Sequence, residues 1–265
     1  MPRQKLTALV SALGAVTLLI TLAATPASAA SWPLPTPGGP AAPDEPPADG
    51  PANIDQLAVT VHQDGGTRNG IEVAFDRTSR TATGEKPAAA SQFVFLFDES
   101  IRFNPERFPT CEREQFEAGG PDACPAGSRV GSGTARVYPD TTAEVAVFNT
   151  RYASGMRGVL ITIPATGGVL ENTFEPVTGL YRKDYRWASD ELLPSALPPG
   201  ERTATTRFQV SFGATFTDAR GRTHSFVESV ARPGKQLDFG LWSRFVTGQV
   251  LLPTTEATRP ARNTV

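Results

Sequence analysis

The stretch TTRFQVSFGATFTDARGRTHSFVESV at residues 205–230 has the pattern of a β-hairpin. Phe208, Val210 and Phe212 alternate with polar residues, and this period of two places them on one face of a strand. Gly221 provides a residue that readily adopts a positive φ in the turn between the two strands. We therefore predict an antiparallel hairpin whose Phe and Val side chains face a core.

Short runs of β-branched and aromatic residues, bounded by Gly, Pro, Asn or Asp, recur along most of the chain. They lie at residues 54–62, 70–76, 91–97, 133–138, 144–152, 159–163, 169–174 and 245–251. The run FVFLF at 93–97 is apolar on both faces, which is typical of a strand in the middle of a two-layer structure. Helix is predicted only at 112–118 and, for a single short turn, at 189–193. These features predict an all-β fold, an antiparallel β-sandwich, with a closed β-barrel as the alternative.

The N-terminus has the layout of a signal peptide. Two basic residues precede an uncharged apolar run at residues 6–24, and small residues precede cleavage points after Ala29 and Ala30. The run is nearly long enough to span a bilayer, so an uncleaved anchor is the alternative, but Thr, Ser and Gly dilute its hydrophobicity. We predict that residues 1–29 are a signal peptide, and that the mature chain is secreted or held at the cell surface without a membrane span.

Composition limits the partners and the domain organisation. Loss of Arg3 and Lys5 leaves 23 Lys and Arg against 27 Asp and Glu, a net charge of −4, so the mature chain has no general attraction for nucleic acid. Residues 30–52 are rich in proline and predict a disordered, polyproline-like tether. Residues 253–265 contain Thr, Pro and Arg without periodicity and predict a disordered tail. One β-sandwich domain is expected between them, at residues 53–252.

Cys111 and Cys124 are the only two cysteines of the chain. In an exported protein such a pair is normally oxidised, and a disulfide closing this short loop contributes about 3 kcal/mol in the chain-entropy model. A nucleophilic thiol would need a neighbouring base, and the sequence shows none. We predict a Cys111–Cys124 disulfide around one short helix.

The order "strand, FPTC at 108–111, short helix, CPAGSRVGSGTA at 124–135, strand" resembles a β-rich extracytoplasmic domain of secreted proteins from high-GC Gram-positive bacteria. The resemblance extends over roughly residues 54–250 and is most specific at 97–135. It implies an extracytoplasmic location and a β fold, and it implies no activity. Members often carry a further cysteine pair near the equivalent of residues 207–230, which this chain lacks.

No catalytic, cofactor-binding or metal-binding motif is evident in the sequence. The chain has two histidines, His62 and His224, which is too few for an ordinary zinc site or a convincing triad. The glycines at residues 127–133 lack the Lys-Ser/Thr ending and the following helix of a phosphate loop. A strand is expected there instead.

The segment LYRKDYRWASDELL at residues 180–193 is the best candidate for a ligand surface, because aromatic rings beside arginines suit stacking on a sugar or contact with a protein. The candidate residues are Tyr181, Arg182, Tyr185, Arg186 and Trp187. The alternative is an amphipathic strand with Tyr181, Lys183, Tyr185 and Trp187 on one face.

Two functions from different classes follow. The first is a secreted or surface-displayed, non-catalytic binding protein for cell-wall polymer, glycan or another protein. The second is a secreted glycosidase-like hydrolase using paired carboxylates, which needs no motif beyond two acids brought together by the fold. Its candidate acids are Glu171, Glu175, Asp184, Asp190 and Glu191. A structural envelope role through self-association of edge strands is a third possibility.

Overall fold

The computed structural model describes residues 32–165 and 167–264, and these form a β-rich unit. The signal peptide predicted at residues 1–29 lies outside the described residues. The strands are β1 (Ile54–Gln63), β2 (Gly70–Arg80), β3 (Ala90–Asp98), β4 (Ile101–Phe103), β5 (Arg129–Val137), β6 (Thr141–Arg151), β7 (Arg157–Ile163), β8 (Gly168–Pro176), β9 (Tyr185–Leu192), β10 (Thr205–Phe212), β11 (Thr215–Thr217), β12 (Thr223–Ser225), β13 (Val227–Ser229), β14 (Gln236–Phe245), β15 (Val250–Leu251) and β16 (Thr254–Thr258).

The helical elements are short. The α-helix α1 is Arg113–Gly119, and 3-10 turns occur at Pro105–Arg107, Gly120–Ala123, Gly179–Lys183 and Pro199–Glu201. At the start of α1 the Glu112 backbone N–H donates to Gln115 Oε1 at 2.9 Å, as in a capping box. Phe116 is buried and lies 5.9 Å from the Phe148 ring, so α1 packs on β6. The predicted helix at 112–118 is confirmed.

Antiparallel pairing links fourteen strands in one sheet, in the order β15-β14-β3-β9-β8-β7-β6-β5-β10-β2-β13-β4, with β1 on β2 and β16 on β14. Phe75 of β2 lies 5.2 Å from both Phe95 and Phe97 of β3, although the pairing order places these strands far apart. The sheet therefore folds back on itself as two layers around a phenylalanine-rich core, and the predicted all-β, sandwich-like fold is confirmed.

The sheet stays open. Strands β1 and β16 lie beside each other, but within the described part of the chain no ladder joins them. The closed barrel, the alternative prediction, is thus not formed by these residues.

The hairpin predicted at residues 205–230 is confirmed only for β11 and β12 around Gly221, because β10 pairs with β2 and β5 instead of with the strands that follow the turn. Phe208, Val210 and Phe212 are buried in the core, and Gly221 has a φ of +74°. The chain leaves β10 at Gly213, so β11 and β12 form a separate two-stranded sheet beyond it. The two faces of 93–97 are also buried as predicted, with Phe95 in the main core and Leu96 in a second apolar cluster.

At both ends that were predicted to be disordered, the described residues contact the β domain. Thr254–Thr258 forms β16, paired with β14, and Arg259 behind it is 1% exposed. Asn263 Nδ2 donates to the Thr67 carbonyl at 2.7 Å, which fastens the end to the β1–β2 loop. Sequence periodicity over five residues is too short to reveal a strand that exists because a partner edge is available. The prediction of a disordered tail at 253–265 is wrong for these residues.

The proline-rich residues are likewise held against the domain. Leu34 packs with the second apolar cluster, and the backbone N–H of Ala48 donates to the Val246 carbonyl at 2.8 Å. Prolines cannot pair with one another through N–H groups, but their carbonyls accept from donors elsewhere in the fold. The described part of the expected tether, residues 32–52, is therefore attached along its length.

Two of the glycines at residues 127–133, Gly131 and Gly133, lie within β5, where they allow close strand packing. A β-carbon added at Gly133 would lie 1.8 Å from the Gln209 carbonyl oxygen of β10. We expect Gly133→Ala to lower the free energy of unfolding by about 3 kcal/mol, because the β5 and β10 backbones must separate. Gly200→Ala, where a β-carbon meets nothing within 4 Å, is the matched control. Urea unfolding measures the stability of both variants. If Gly133→Ala and Gly200→Ala each lowered the free energy of unfolding by the same small amount, the close approach of the β5 and β10 backbones would be contradicted.

Candidate binding groove

A cavity of about 500 Å³ lies on the face of the sheet that points away from the main core. We call residues 40–47, which form one wall, the strap. Other lining residues are Arg113, Tyr152, Glu171, Leu192, Arg202 and Arg244. They come from α1, β8, β9, β14 and the loops around them, so only the folded sheet brings them together. We call this cavity the groove.

The strap is fixed by an ion pair. Arg202 Nη2 lies 2.6 Å from Glu45 Oε1, and Arg202 Nε donates to the Leu197 carbonyl at 3.1 Å. The Arg202 side chain is 7% exposed, which limits its freedom. The hydrogen bond from Arg202 lowers the pKa of the Glu45 carboxyl, with its charge adding to the effect. Glu45 therefore stays ionised, and the strap stays attached at neutral pH.

A second wall carries Arg113 at the start of α1. Its Nε lies 2.6 Å from Glu117 Oε1 and its Nη1 lies 3.5 Å from Glu171 Oε2. The side chains of Arg113 and Glu171 are 43% and 45% exposed, so solvent reaches this rim. The Cys111–Cys124 disulfide, predicted from the sequence and present in the structure, closes the loop that holds α1 here.

Tyr152 also lines the groove, and its hydroxyl donates to the Asn172 carbonyl at 2.9 Å. The pKa of Tyr152 is raised mainly by burial.

Arg244 contributes the remaining guanidinium of the groove. Its Cζ lies 5.2 Å from the centroid of the Trp242 ring, a cation–π arrangement that orients the side chain. No carboxylate of the described residues lies within ion-pair distance of Arg244, unlike Arg113 and Arg202. Arg244 is therefore the lining guanidinium whose charge is most available to a ligand.

Two acids lie buried beside the chain that leads into the strap. Asp190 is fully buried and accepts hydrogen bonds from Gln92 Nε2 at 2.8 Å and Thr36 Oγ1 at 2.6 Å. A β-carbon at Gly39 would lie 2.8 Å from Asp190 Oδ2 and 3.3 Å from Glu175 Cγ. Burial raises the pKa of Asp190, although its two hydrogen bonds act in the opposite direction. Both acids are covered by backbone rather than open to a ligand.

The five acids considered for hydrolysis are not brought together as an accessible pair. Asp190 and Glu191 are neighbours on β9, so their side chains point to opposite faces of the sheet, and both are fully buried. Glu175 is 6% exposed, Glu171 is engaged by Arg113, and Asp184 Oδ2 lies 3.4 Å from Lys183 Nζ. A glycosidase needs two carboxyl groups on either side of an open site. The neighbouring acids Asp190 and Glu191 do not form such a pair.

The segment proposed as a ligand surface is divided by the fold. Tyr181 and Tyr185 are 3% and 6% exposed and pack in the second apolar cluster, so they cannot stack on a ligand. Arg182 and Arg186 are exposed, and Trp187 is half-buried. The segment is a 3-10 turn followed by β9, so the helix predicted at 189–193 is wrong. The amphipathic-strand alternative assumed an uninterrupted strand and also fails at Tyr181.

The two histidines occupy unrelated positions. His62 is exposed on β1, and His224 Nε2 lies 3.1 Å from Asp218 Oδ2 beside the β11–β12 turn. Asp218 also accepts from the Arg222 side chain at 2.8 Å. Within residues 32–165 and 167–264, no three His, Cys, Asp or Glu side chains are grouped so that they could hold a metal ion.

Comparison of the chain with protein-family models, with curated proteins and with solved structures finds no match. In the part of the chain that the structure describes, no helix is long and apolar enough to cross a membrane.

The groove was not predicted from the sequence, because its lining residues are spread from residue 40 to residue 248 and share no motif. The proline-rich composition marked one wall, but gave no sign that it faces a cavity.

Proposed function

We propose that this chain is an exported, non-catalytic binding protein whose ligand occupies the groove between the strap and α1. The observation that carries the proposal is the cavity of about 500 Å³, a volume typical of ligand sites, between two independently fastened walls. The Arg202–Glu45 ion pair holds one wall and the Cys111–Cys124 disulfide holds the other. Such preformed walls reduce the ordering cost of binding.

The lining suggests a ligand with apolar and anionic parts. Leu192 and the strap prolines offer apolar contact, while Arg244 has no carboxylate partner among the described side chains. Cell-wall polymers and anionic glycans have this mixed character, and both would meet an exported protein. A protein ligand would use the same features, with a carboxylate side chain facing Arg244.

The groove can be tested by depletion of the mature chain from solution. The mature chain, beginning at Ala30 with its disulfide intact, is mixed with sedimented cell-wall polymer or insoluble polysaccharide. We expect depletion, and we expect Arg244→Ala to weaken the apparent affinity about tenfold, because a hydrogen bond to a charged group is lost. Arg136→Ala, at an exposed position on β5, is the control.

Three results distinguish the possibilities. Equal binding by the Arg244→Ala and Arg136→Ala proteins would show that the groove is not the binding site. A selective loss in Arg186→Ala would instead place the ligand on the exposed part of residues 180–193. Sugar released into the supernatant would show hydrolysis and contradict a non-catalytic role.

A further inference from the structure

The first described residues of the chain, Trp32 to Pro37 (WPLPTP), occupy a site of their own beside the groove. We call residues 32–37 the arm. Trp242 Nε1 donates to the Trp32 carbonyl at 3.0 Å, and Tyr181 Oη donates to the Pro33 carbonyl at 2.6 Å. The backbone N–H and the hydroxyl of Thr178 both donate to the Pro35 carbonyl, at 2.9 and 3.1 Å. The fold supplies donors and the arm supplies carbonyl acceptors.

This division matches the chemistry of a proline-rich segment. Proline has no N–H, so an extended proline-rich chain presents mainly carbonyl groups, and aromatic-lined grooves recognise such chains through donors placed between apolar surfaces. Leu34 packs on the second apolar cluster, and Pro35 is buried. The site therefore has both the donors and the apolar surface that this class of segment requires.

A side-chain contact adds sequence selectivity. Thr36 is 1% exposed, and its hydroxyl donates to Asp190 Oδ2 at 2.6 Å. The second Asp190 oxygen accepts from Gln92, so the carboxyl group is held in place from the β3 side. A residue without a hydroxyl at this position would leave a buried acceptor without its partner.

The arm is joined to the strap by Gly38 and Gly39, and a β-carbon at Gly38 would meet nothing within 4 Å. All residues that hold the arm belong to the β domain, at positions 92 to 242. Because only noncovalent contacts hold the arm in its site, an arm that swings out at the Gly38–Gly39 joint can make the same contacts with the site of another identical chain.

We propose that the site formed by Thr178, Tyr181, Asp190 and Trp242 is an acceptor for an extended proline-rich segment, and that a second copy of this chain supplies it by arm exchange. The Gly39 N–H donates to the Thr36 carbonyl at 2.9 Å, so release of the arm requires this turn to open, and the two-residue joint keeps the effective concentration of the arm at its own site high. Exchange therefore becomes significant where copies are crowded, as on a surface or in a concentrated solution. It is independent of the ligand of the groove.

Cysteine crosslinking of the mature full-length chain tests the exchange. One copy carries Pro35→Cys in the arm and the other carries Thr178→Cys in the acceptor site. When the two are mixed at high concentration under mild oxidation, we expect a covalent dimer at a yield at least about tenfold above that of Glu144→Cys mixed with Thr178→Cys. Glu144 is exposed on β6, so the yield with Glu144→Cys measures crosslinking by random collision.

The double variant, with both cysteines in one chain, reports the unexchanged arm. If it closes its crosslink within the chain while the mixed copies give no more dimer than the collision control, exchange does not occur. If the double variant fails to close, the arm is not seated at Thr178 and the proposal also fails.

Discussion

Asp55→Ala is expected to lower the free energy of unfolding by about 3 to 5 kcal/mol, because it leaves a buried guanidinium without its carboxylate. Arg77 Nε lies 2.6 Å from Asp55 Oδ2, and their side chains are 2% and 0% exposed. The guanidinium also lies 4.8 Å from the centroid of the Phe93 ring and donates to the Thr205 carbonyl. Both side chains are therefore closed off from solvent in the folded chain.

Asp76→Ala is the matched control for this prediction. Asp76 also pairs with an arginine on a neighbouring strand, but Arg207 is 49% exposed and water can solvate it when the partner is removed. We therefore expect a much smaller loss from Asp76→Ala than from Asp55→Ala in urea unfolding.

The double variant Asp55→Ala/Arg77→Met separates the cost of an unpaired charge from the value of the pair. Replacement of both partners by apolar side chains is often close to neutral, so we expect the double variant to regain most of the stability. If Asp55→Ala and the double variant were equally unstable, lost packing rather than an uncompensated charge would be responsible.

Glu191→Gln is expected to flatten the dependence of stability on pH. Glu191 is fully buried between the layers, and neither carboxyl oxygen has a hydrogen-bond partner of ordinary geometry among the described residues. Burial, with a smaller effect from the Asp190 charge, raises the pKa of Glu191 to about 8 from an ordinary value of 4.5, although the Asn172 side chain acts in the opposite direction. The folded protein therefore carries a protonated Glu191 at neutral pH.

The sign of the effect follows from proton binding. Below about pH 4.5 the residue is protonated in both states, so no stability is lost. As pH rises towards about 8, the unfolded chain ionises while the folded chain keeps its proton, and the free energy of unfolding falls. The loss at pH 7 is on the order of 3 kcal/mol, and glutamine, which does not ionise, removes it.

Urea unfolding between about pH 5 and pH 8 measures this difference. The buried amide introduced by Glu191→Gln has its own desolvation cost, but that cost is constant with pH, so the difference between the two curves isolates the ionisation. Glu144→Gln, the same change at an exposed position, should leave the pH dependence as it is in the unsubstituted chain. Parallel curves for Glu191→Gln and the unsubstituted chain would contradict a protonated Glu191.

Local sequence was sufficient to predict most strands, since their signals involve neighbouring residues. The alternation around Phe208 and the doubly apolar run at 93–97 each report burial on one or two faces of a strand. The disulfide was predictable because a chain with two cysteines has one possible intramolecular pairing, and the signal-peptide layout predicts an oxidising environment. Helix α1 was predictable from the loop it occupies.

Other elements depended on partners that sequence does not identify. Strand β9 contains Asp190 and Glu191, which suggest a surface or a helix, and it forms because β3 and β8 lie on either side. The strand β16 and the arm are held by edges and donors of the folded domain. Short polar or proline-rich segments have no periodicity from which their contacts with the folded domain could be predicted.

The sequence by itself determined the class of the fold and the disulfide, because strand periodicity and cysteine number can be read without knowing the fold. Export remains a prediction from the signal-peptide layout. Only the tertiary structure decided that the supposed tether becomes an arm and a strap, that Tyr181 is buried, and that Arg244 faces a groove. These outcomes depend on which hydrogen-bond donors and apolar surfaces come together when distant strands pair. Contacts between residues far apart in the chain cannot be predicted from the pattern of neighbouring residues.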